Sequence, residues 1–157
     1  MATIKPSYRA TNQTITCTIN SLGSGSARQS TYIDNTSNLD DDDLVVLVVK
    51  TAASGTSSTG HVDLYFYGSA DLSTYPDAIT GTDGTYTMVS PSNLFLVRSV
   101  NAVSNGTTYE SEPISVSAAF GGVVPPQWGI VVVNNSGAAL ASTGNSAFFA
   151  GVQYTVA

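Results

Sequence analysis

Two strand-like segments near the end of the chain constrain its fold more than any other feature. In residues 127–134 the even-numbered side chains from Trp128 to Val132 fall on one face, and two valines fall on the other. In residues 147–156 the even-numbered side chains from Phe148 to Val156 share one face. We expect that face to be buried, with Trp128 and Phe148 in a shared core.

Comparable segments recur along the chain and predict an all-β fold. No segment has a convincing helical period, and turns rich in Gly, Ser and Asn separate the strands. This pattern predicts an eight-stranded antiparallel β-sandwich, in particular a jelly roll with its last strand beside its first. An immunoglobulin-like sandwich is the alternative, but its pair of cysteines around a tryptophan is absent. The eight predicted strands are residues 13–19, 28–33, 43–50, 61–67, 94–100, 107–118, 127–134 and 147–156.

The chain is expected to form one domain. Its 157 residues suit a single hydrophobic core, which we place in residues 13–157. Residues 1–12 lack periodicity and include Pro6, which predicts an extended N-terminal arm.

Two turns carry hairpin signals. Asn105-Gly106 predicts that the strands on either side of it pair with each other. Asp83-Gly84 predicts a small added hairpin within the long connection at residues 68–92. Connections longer than about 12 to 15 residues are usually functional, so this one is a candidate contact element.

The composition excludes several classes of function. Only 10% of the residues are charged, against about 25% in typical soluble domains, which suits a protein packed against neighbours. A net charge of −6 with five scattered basic residues argues against nucleic-acid binding. One cysteine and one histidine form neither a disulfide nor a zinc site within one chain, and no cofactor is expected.

We also expect synthesis in a cytoplasm, and we expect no membrane role. The longest apolar run, residues 44–49, is far shorter than the roughly 20 residues of a membrane span. The first residues lack the apolar stretch of a signal peptide.

Four consecutive carboxylates, Asp40, Asp41, Asp42 and Asp43, precede the most apolar strand. Clustered carboxylates bind hard cations, so calcium or magnesium binding is one interpretation. The run lacks the spaced acidic pattern of a dedicated calcium loop. The preferred interpretation is a solvated turn whose charges protect an aggregation-prone strand, without a metal.

The strand at residues 61–67 carries His61, Asp63, Tyr65 and Tyr67 on the face opposite its core residues. Tyrosines with an apolar ring and a polar tip suit a sugar-binding or subunit-contact surface. The preferred interpretation is that this face is the second face of a sandwich, buried against another strand or subunit.

No catalytic site is predicted, and we expect a protein that is not an enzyme. His61 and Asp63 are not accompanied by a Gly-x-Ser-x-Gly nucleophile motif. Glu110 and Glu112 share a strand face without the opposed roles that a glycosidase requires.

Four segments resemble small virion proteins of tailed bacteriophages that are encoded close to the capsid genes. The segments are DLYFYGSADLSTYPD, TGTDGTYTMVSPSNLFLV, AAFGGVVPPQWGIVVVNNSGAAL and GNSAFFAGVQYTV. The resemblance covers most of the chain after residue 60. It implies a capsid decoration or cement protein on the virion surface, with the major capsid protein as partner and a homo-oligomeric state such as a trimer. It implies no catalytic residues.

If the protein is a capsid decoration protein, three regions are candidates for contact with the partner. They are the arm at residues 1–12, the strand face that carries Tyr65 and Tyr67, and the excursion from Tyr75 to Tyr86. The candidate contact residues are Lys5, Tyr8, Tyr65, Tyr67, Tyr75 and Tyr86. A carbohydrate-binding or receptor-binding jelly roll is the alternative, with Tyr65, Tyr67 and Trp128 as a stacking platform. A tail component of the same fold is a third hypothesis.

Overall fold

The computed structural model describes residues 3–9 and 11–156, and its strands form two antiparallel sheets of six strands each. This confirms the all-β prediction. Two four-residue helices, α1 (Asn35–Asn38) and α2 (Val116–Ala119), and a 3-10 turn at Pro76–Ala78 complete the regular structure described. The strands are β1 Ile4–Tyr8, β2 Gln13–Thr14, β3 Ser26–Gln29, β4 Ile33–Asp34, β5 Asp42–Lys50, β6 His61–Ser69, β7 Gly84–Tyr86, β8 Phe95–Asn101, β9 Thr108–Glu110, β10 Ile114–Ser115, β11 Gln127–Asn135 and β12 Ser146–Val156.

The last two strands of the chain each lie in the interior of a sheet, β12 in the first sheet and β11 in the second. In the first sheet the order is β1, β12, β5 and β10, with β2 also paired to β12 and β9 to β5. In the second sheet the order is β7, β3, β11, β6 and β8, with β4 also paired to β11. The last strand therefore lies beside the first, as predicted.

The main core fills the space between the two sheets. Trp128 lies at its centre, with its ring edge-on to Phe66 at 6.0 Å and to Phe149 at 5.5 Å between ring centroids. Full burial of an aromatic or aliphatic side chain contributes about 1.5 to 3 kcal/mol, so this cluster supplies much of the driving force for folding. The alternation predicted for β6 and β11 is confirmed, because Val62, Leu64, Phe66, Trp128, Ile130 and Val132 all belong to this core.

A second, smaller core covers the opposite face of the second sheet. The excursion between β6 and β8 folds back over that face, and Ile79, Tyr86 and Leu94 pack against Val131 and Val133. The outward side of this sheet is therefore covered by the chain itself.

The predicted hairpin at Asp83-Gly84 is wrong. The Asp83 carboxylate instead accepts hydrogen bonds from Arg28 Nε at 2.6 Å and from the Thr18 backbone N–H at 3.0 Å. These contacts direct the chain to the sheet edge, where β7 pairs with β3.

The hairpin predicted at Asn105-Gly106 is also wrong. The strands that flank it lie in different sheets, since β8 pairs with β6 and β9 pairs with β5. Gly106 has the positive φ of a tight turn, at 63°, but its N–H donates to the Ala52 carbonyl. The turn thus carries the chain from one sheet to the other.

The N-terminal segment differs from the predicted free arm. It is extended, but Ile4–Tyr8 pairs with β12 of the same chain. Residues 1, 2 and 10 of the predicted arm lie outside the described residues.

The predicted strand at residues 13–19 is regular only at Gln13–Thr14, because the chain then crosses between the sheets. Ile15 donates its N–H to Ala147 in the first sheet, while the carbonyl of Thr16 accepts from Thr31 beside the second. Cys17 packs against the core, as predicted, and burial raises the pKa of its thiol to about 12. The thiol is therefore an unreactive packing group.

Gly129 provides a test of this packing. The Tyr67 ring lies directly over Gly129 and its hydroxyl donates to the Ser30 carbonyl at 2.8 Å. Gly129→Ala places a methyl group inside that ring, so we expect a loss of about 1 to 3 kcal/mol in unfolding free energy, measured by urea denaturation. Gly84→Ala in the same sheet is the matched control, because its nearest neighbours lie 3.7 Å from the added carbon. Equal losses in both variants would contradict the described packing.

Candidate functional site

The side chains of β12 face the opposite way from our expectation. Phe149 and Ala147 belong to the core, whereas Phe148 is half-buried on the other side of the sheet. The prediction that Phe148 lies in the core is therefore wrong. Alternation does not decide the orientation of this strand, since both of its faces carry apolar residues.

The side of the first sheet turned away from the core carries a continuous set of apolar side chains. Neighbouring residues in register share a face of a sheet, so this set spans three adjacent strands. None of its members belongs to either hydrophobic core. We call this set the outer face: Ile4, Pro6 and Tyr8 from β1, Leu44, Val46 and Val48 from β5, and Phe148, Ala150, Val152, Tyr154 and Val156 from β12.

Exposure increases across the outer face toward the end where β1 meets the last residues of β12. Val46 and Val152, in the middle, are each 8% exposed because their neighbours in the sheet shield them. Tyr154 is 60% exposed and Val156 is 73% exposed. Contiguous apolar surface of this kind marks sites of contact with other proteins.

Charged residues lie at the border of the outer face. Asp42, opposite Val152, bounds it on one side. Lys50 follows Val48 on the same side of β5, and Glu110 of β9 lies opposite Val48. The centre of the face is therefore suited to an apolar partner surface rather than to a charged one.

The free edge of β1 is poorly suited to adding another strand. Arg9 donates its N–H to the Gly151 carbonyl at 3.0 Å, and hydrogen-bonded pairs alternate along an antiparallel ladder. The backbone nitrogen of Pro6 therefore points away from β12, where it has no hydrogen to donate. Contact through the side chains of the face is favoured over pairing at the edge.

The structure separates the six predicted contact residues. Lys5 and Tyr8 are exposed on β1, and Tyr8 belongs to the outer face. Tyr65 and Tyr75 are half-buried in the second core. Tyr67 is 1% exposed and Tyr86 is 7% exposed, so neither offers a surface to a partner.

The proposed sugar platform of Tyr65, Tyr67 and Trp128 does not form on the surface. Trp128 is fully buried in the main core, and Tyr67 packs on the opposite side of the sheet in the second core. The second face of β6 is covered, as the preferred interpretation predicted, because Tyr65 and Tyr67 pack in the second core.

Three of the four aspartates have different partners. Asp40 pairs with Arg9, Asp41 accepts from the Tyr154 N–H at 2.7 Å, and Asp42 accepts from the Ser117 N–H at 2.8 Å. Within residues 3–9 and 11–156, no group of three or more acidic, histidine or cysteine side chains is arranged to hold a metal. The prediction of a solvated turn is only partly correct, because Asp40 is 5% exposed and Asp43 is fully buried.

His61 and Asp63 are adjacent but do not form a catalytic relay. His61 Nε2 lies 3.5 Å from Asp63 Oδ2. Ser99 Oγ donates to Asp63 Oδ1 at 2.6 Å, so the nearby hydroxyl bonds to the carboxylate rather than to the imidazole. A serine nucleophile requires the opposite arrangement, with the imidazole as its base.

Comparisons with protein-family models, curated proteins and solved structures found no match to this chain. Across the described part of the chain, no helix has the length and apolar character needed to span a membrane.

Two adjacent phenylalanines test the orientation of β12. Phe149→Ala removes a core ring in contact with Trp128 and should lower the unfolding free energy by about 3 to 5 kcal/mol. Phe148→Ala leaves no internal cavity and should cost only about 1 kcal/mol. Urea denaturation of both variants measures the difference, and a larger loss at Phe148 would reverse the orientation described here.

Proposed function

We propose that this protein is a structural component of a tailed-bacteriophage virion, and specifically a capsid decoration protein that binds the outside of the head lattice. The observation that carries the proposal is the uncharged, apolar outer face, whose exposed end no described segment of the chain covers. A protein that functioned as a free monomer would leave this surface in water at a cost in solubility.

Three further observations support a role in binding rather than in catalysis. The composition is poor in charge, with 10% charged residues. Among the described residues, His61 is hydrogen-bonded to the Thr59 carbonyl and not to a nucleophile. The resemblance of several segments to small virion proteins points in the same direction.

We propose the jelly roll as the finer description of the fold. The pairs β1 and β2, β3 and β4, and β9 and β10 can each be counted as one interrupted strand, with β7 as an addition. Eight strands then remain, in the order first, eighth, third, sixth in one sheet and second, seventh, fourth, fifth in the other. Two interleaved sheets of this order support a double Greek key.

The partner in this proposal is the major capsid protein, bound by a homo-oligomer such as a trimer at a lattice position where capsid subunits meet. Binding that exists only in the assembled lattice stabilises it by mass action, because the dispersed subunits lack the composite site. The outer face would supply the buried centre of this contact, and its charged border would supply the polar rim.

Co-sedimentation with heads of the phage that encodes this chain tests the proposal. The protein should pellet with assembled heads and raise their melting temperature. Tyr154→Asp and Phe148→Ser should each weaken binding by about tenfold or more, since each places a polar group in the apolar contact. Val103→Asp is the control, because Val103 is an exposed valine outside the outer face.

Failure of the protein to bind heads would overturn the decoration role. Binding that both face variants leave unchanged would instead show that a different surface makes the contact. Circular dichroism of each variant establishes that it is folded.

A further inference from the structure

The outer edges of the two sheets differ in how well they could pair with another strand. In the first sheet, Pro6 interrupts the free edge of β1, and the strands at the other edge, β9 and β10, have three and two residues. In the second sheet, β7 at one edge has three residues, whereas β8 at the other has seven and contains no proline. A long edge strand without proline is a template for pairing with another chain, so β8 is the edge to consider.

The backbone of β8 presents free hydrogen-bonding groups on its outer side. Just after the strand, Ala102 donates its N–H to the Gly60 carbonyl at 2.9 Å, and the pairing with β6 continues without a shift through the last four residues of β8. Because hydrogen-bonded pairs alternate along an antiparallel ladder, Val100 bonds to β6, whereas the N–H and C=O groups of Ser99 and Asn101 point away from it. No described strand pairs with that side of β8.

The side chains of this segment do little to keep another strand away. Arg98 is the only charged residue of β8, and its guanidinium donates to Glu112 at 2.9 Å. Ser99 and Asn101 are uncharged and exposed. A bulge at Val97, which has no partner in the register, limits regular pairing to residues 98–101.

The segment is complementary to itself. When two copies meet antiparallel about a two-fold axis at Val100, the outward groups of Ser99 in one copy face those of Asn101 in the other, and a pair of backbone hydrogen bonds forms on each side of the axis. The two Val100 side chains then lie opposite each other on the core side of the sheet, and Ser99 lies opposite Asn101 on the solvent side. Arg98 lies opposite Ala102, so no like charges meet.

We propose that the free edge of β8 is a self-association surface, on which a second copy of this chain adds its own β8 and continues the second sheet across a two-fold axis. A second copy is the occupant that this register favours, because apolar pairs with apolar and polar with polar. The inference concerns the isolated chain and does not depend on the proposed function. β8 lies beside β9, whereas the exposed end of the outer face is formed by β1 and β12, so the pairing leaves that face free.

The dimer should be weak in solution. The pairing segment is short, so the interface is smaller than the roughly 1,200 Å² of stable complexes, and we expect a dissociation constant on the order of 0.1 mM. Sedimentation velocity from about 10 µM to about 1 mM should therefore show a reversible equilibrium between monomer and dimer.

Asn101→Pro tests the backbone pairing. Proline removes the outward N–H of Asn101, and with it one hydrogen bond on each side of the axis, so dimerisation should weaken by about tenfold or more. The fold should be retained, as measured by circular dichroism, because this N–H does not bond to β6. Asn101→Ala is the matched control: it keeps the N–H and should dimerise like the wild type.

Hydrogen exchange of the wild-type chain locates the contact and decides the matter if Asn101→Pro does not fold. The amides of Ser99 and Asn101 should exchange freely at low concentration and become protected as the dimer forms. The amides of Val100 and Ala102, which bond within the chain, should be protected at every concentration and serve as the internal control. A chain that stays monomeric up to about 1 mM, a dimer that Asn101→Pro leaves unchanged, or amides at 99 and 101 whose protection does not rise with concentration would each overturn the proposal.

Discussion

The pairing of β12 determines how the rest of the molecule is arranged. This strand lies at the centre of the first sheet, between β1 and β2 on one side and β5 on the other. Its register places Phe149 against Trp128, and so fixes which side chains of three strands reach the core. Because side chains alternate along a strand, the same register sends Phe148 and Tyr154 to the outer face.

Sequence alternation predicted the all-β fold and the core residues of β6 and β11, but it failed for β12. In β11 both faces are also apolar, but both are buried. A prediction that either face of β11 is buried is therefore correct. In β12 only the face with Ala147 and Phe149 belongs to a hydrophobic core, and alternation alone does not identify which face that is. The hairpin signals failed for a related reason: a turn such as Asn105-Gly106 permits several directions, and long-range pairing with other strands selects among them.

The outward faces of the two sheets are both apolar, but they differ in how far the chain covers them. On the second sheet the excursion between β6 and β8 returns to cover Tyr67 and Val131. On the first sheet no described segment covers the exposed end of the corresponding face, where Tyr154 is 60% exposed. The candidate residues chosen from the sequence were mostly tyrosines of the covered face, because a tyrosine suits an interface and a core equally well. Burial within the chain, which depends on a distant segment, distinguishes these two cases.

The N-terminal strand connects the outer face with the buried acids. β1 contributes Ile4, Pro6 and Tyr8 to the face, and Arg9 at its end holds Asp40 over Asp43. A strand at a sheet edge is held on one side only, so an anchor at its end has a large influence on whether it stays docked.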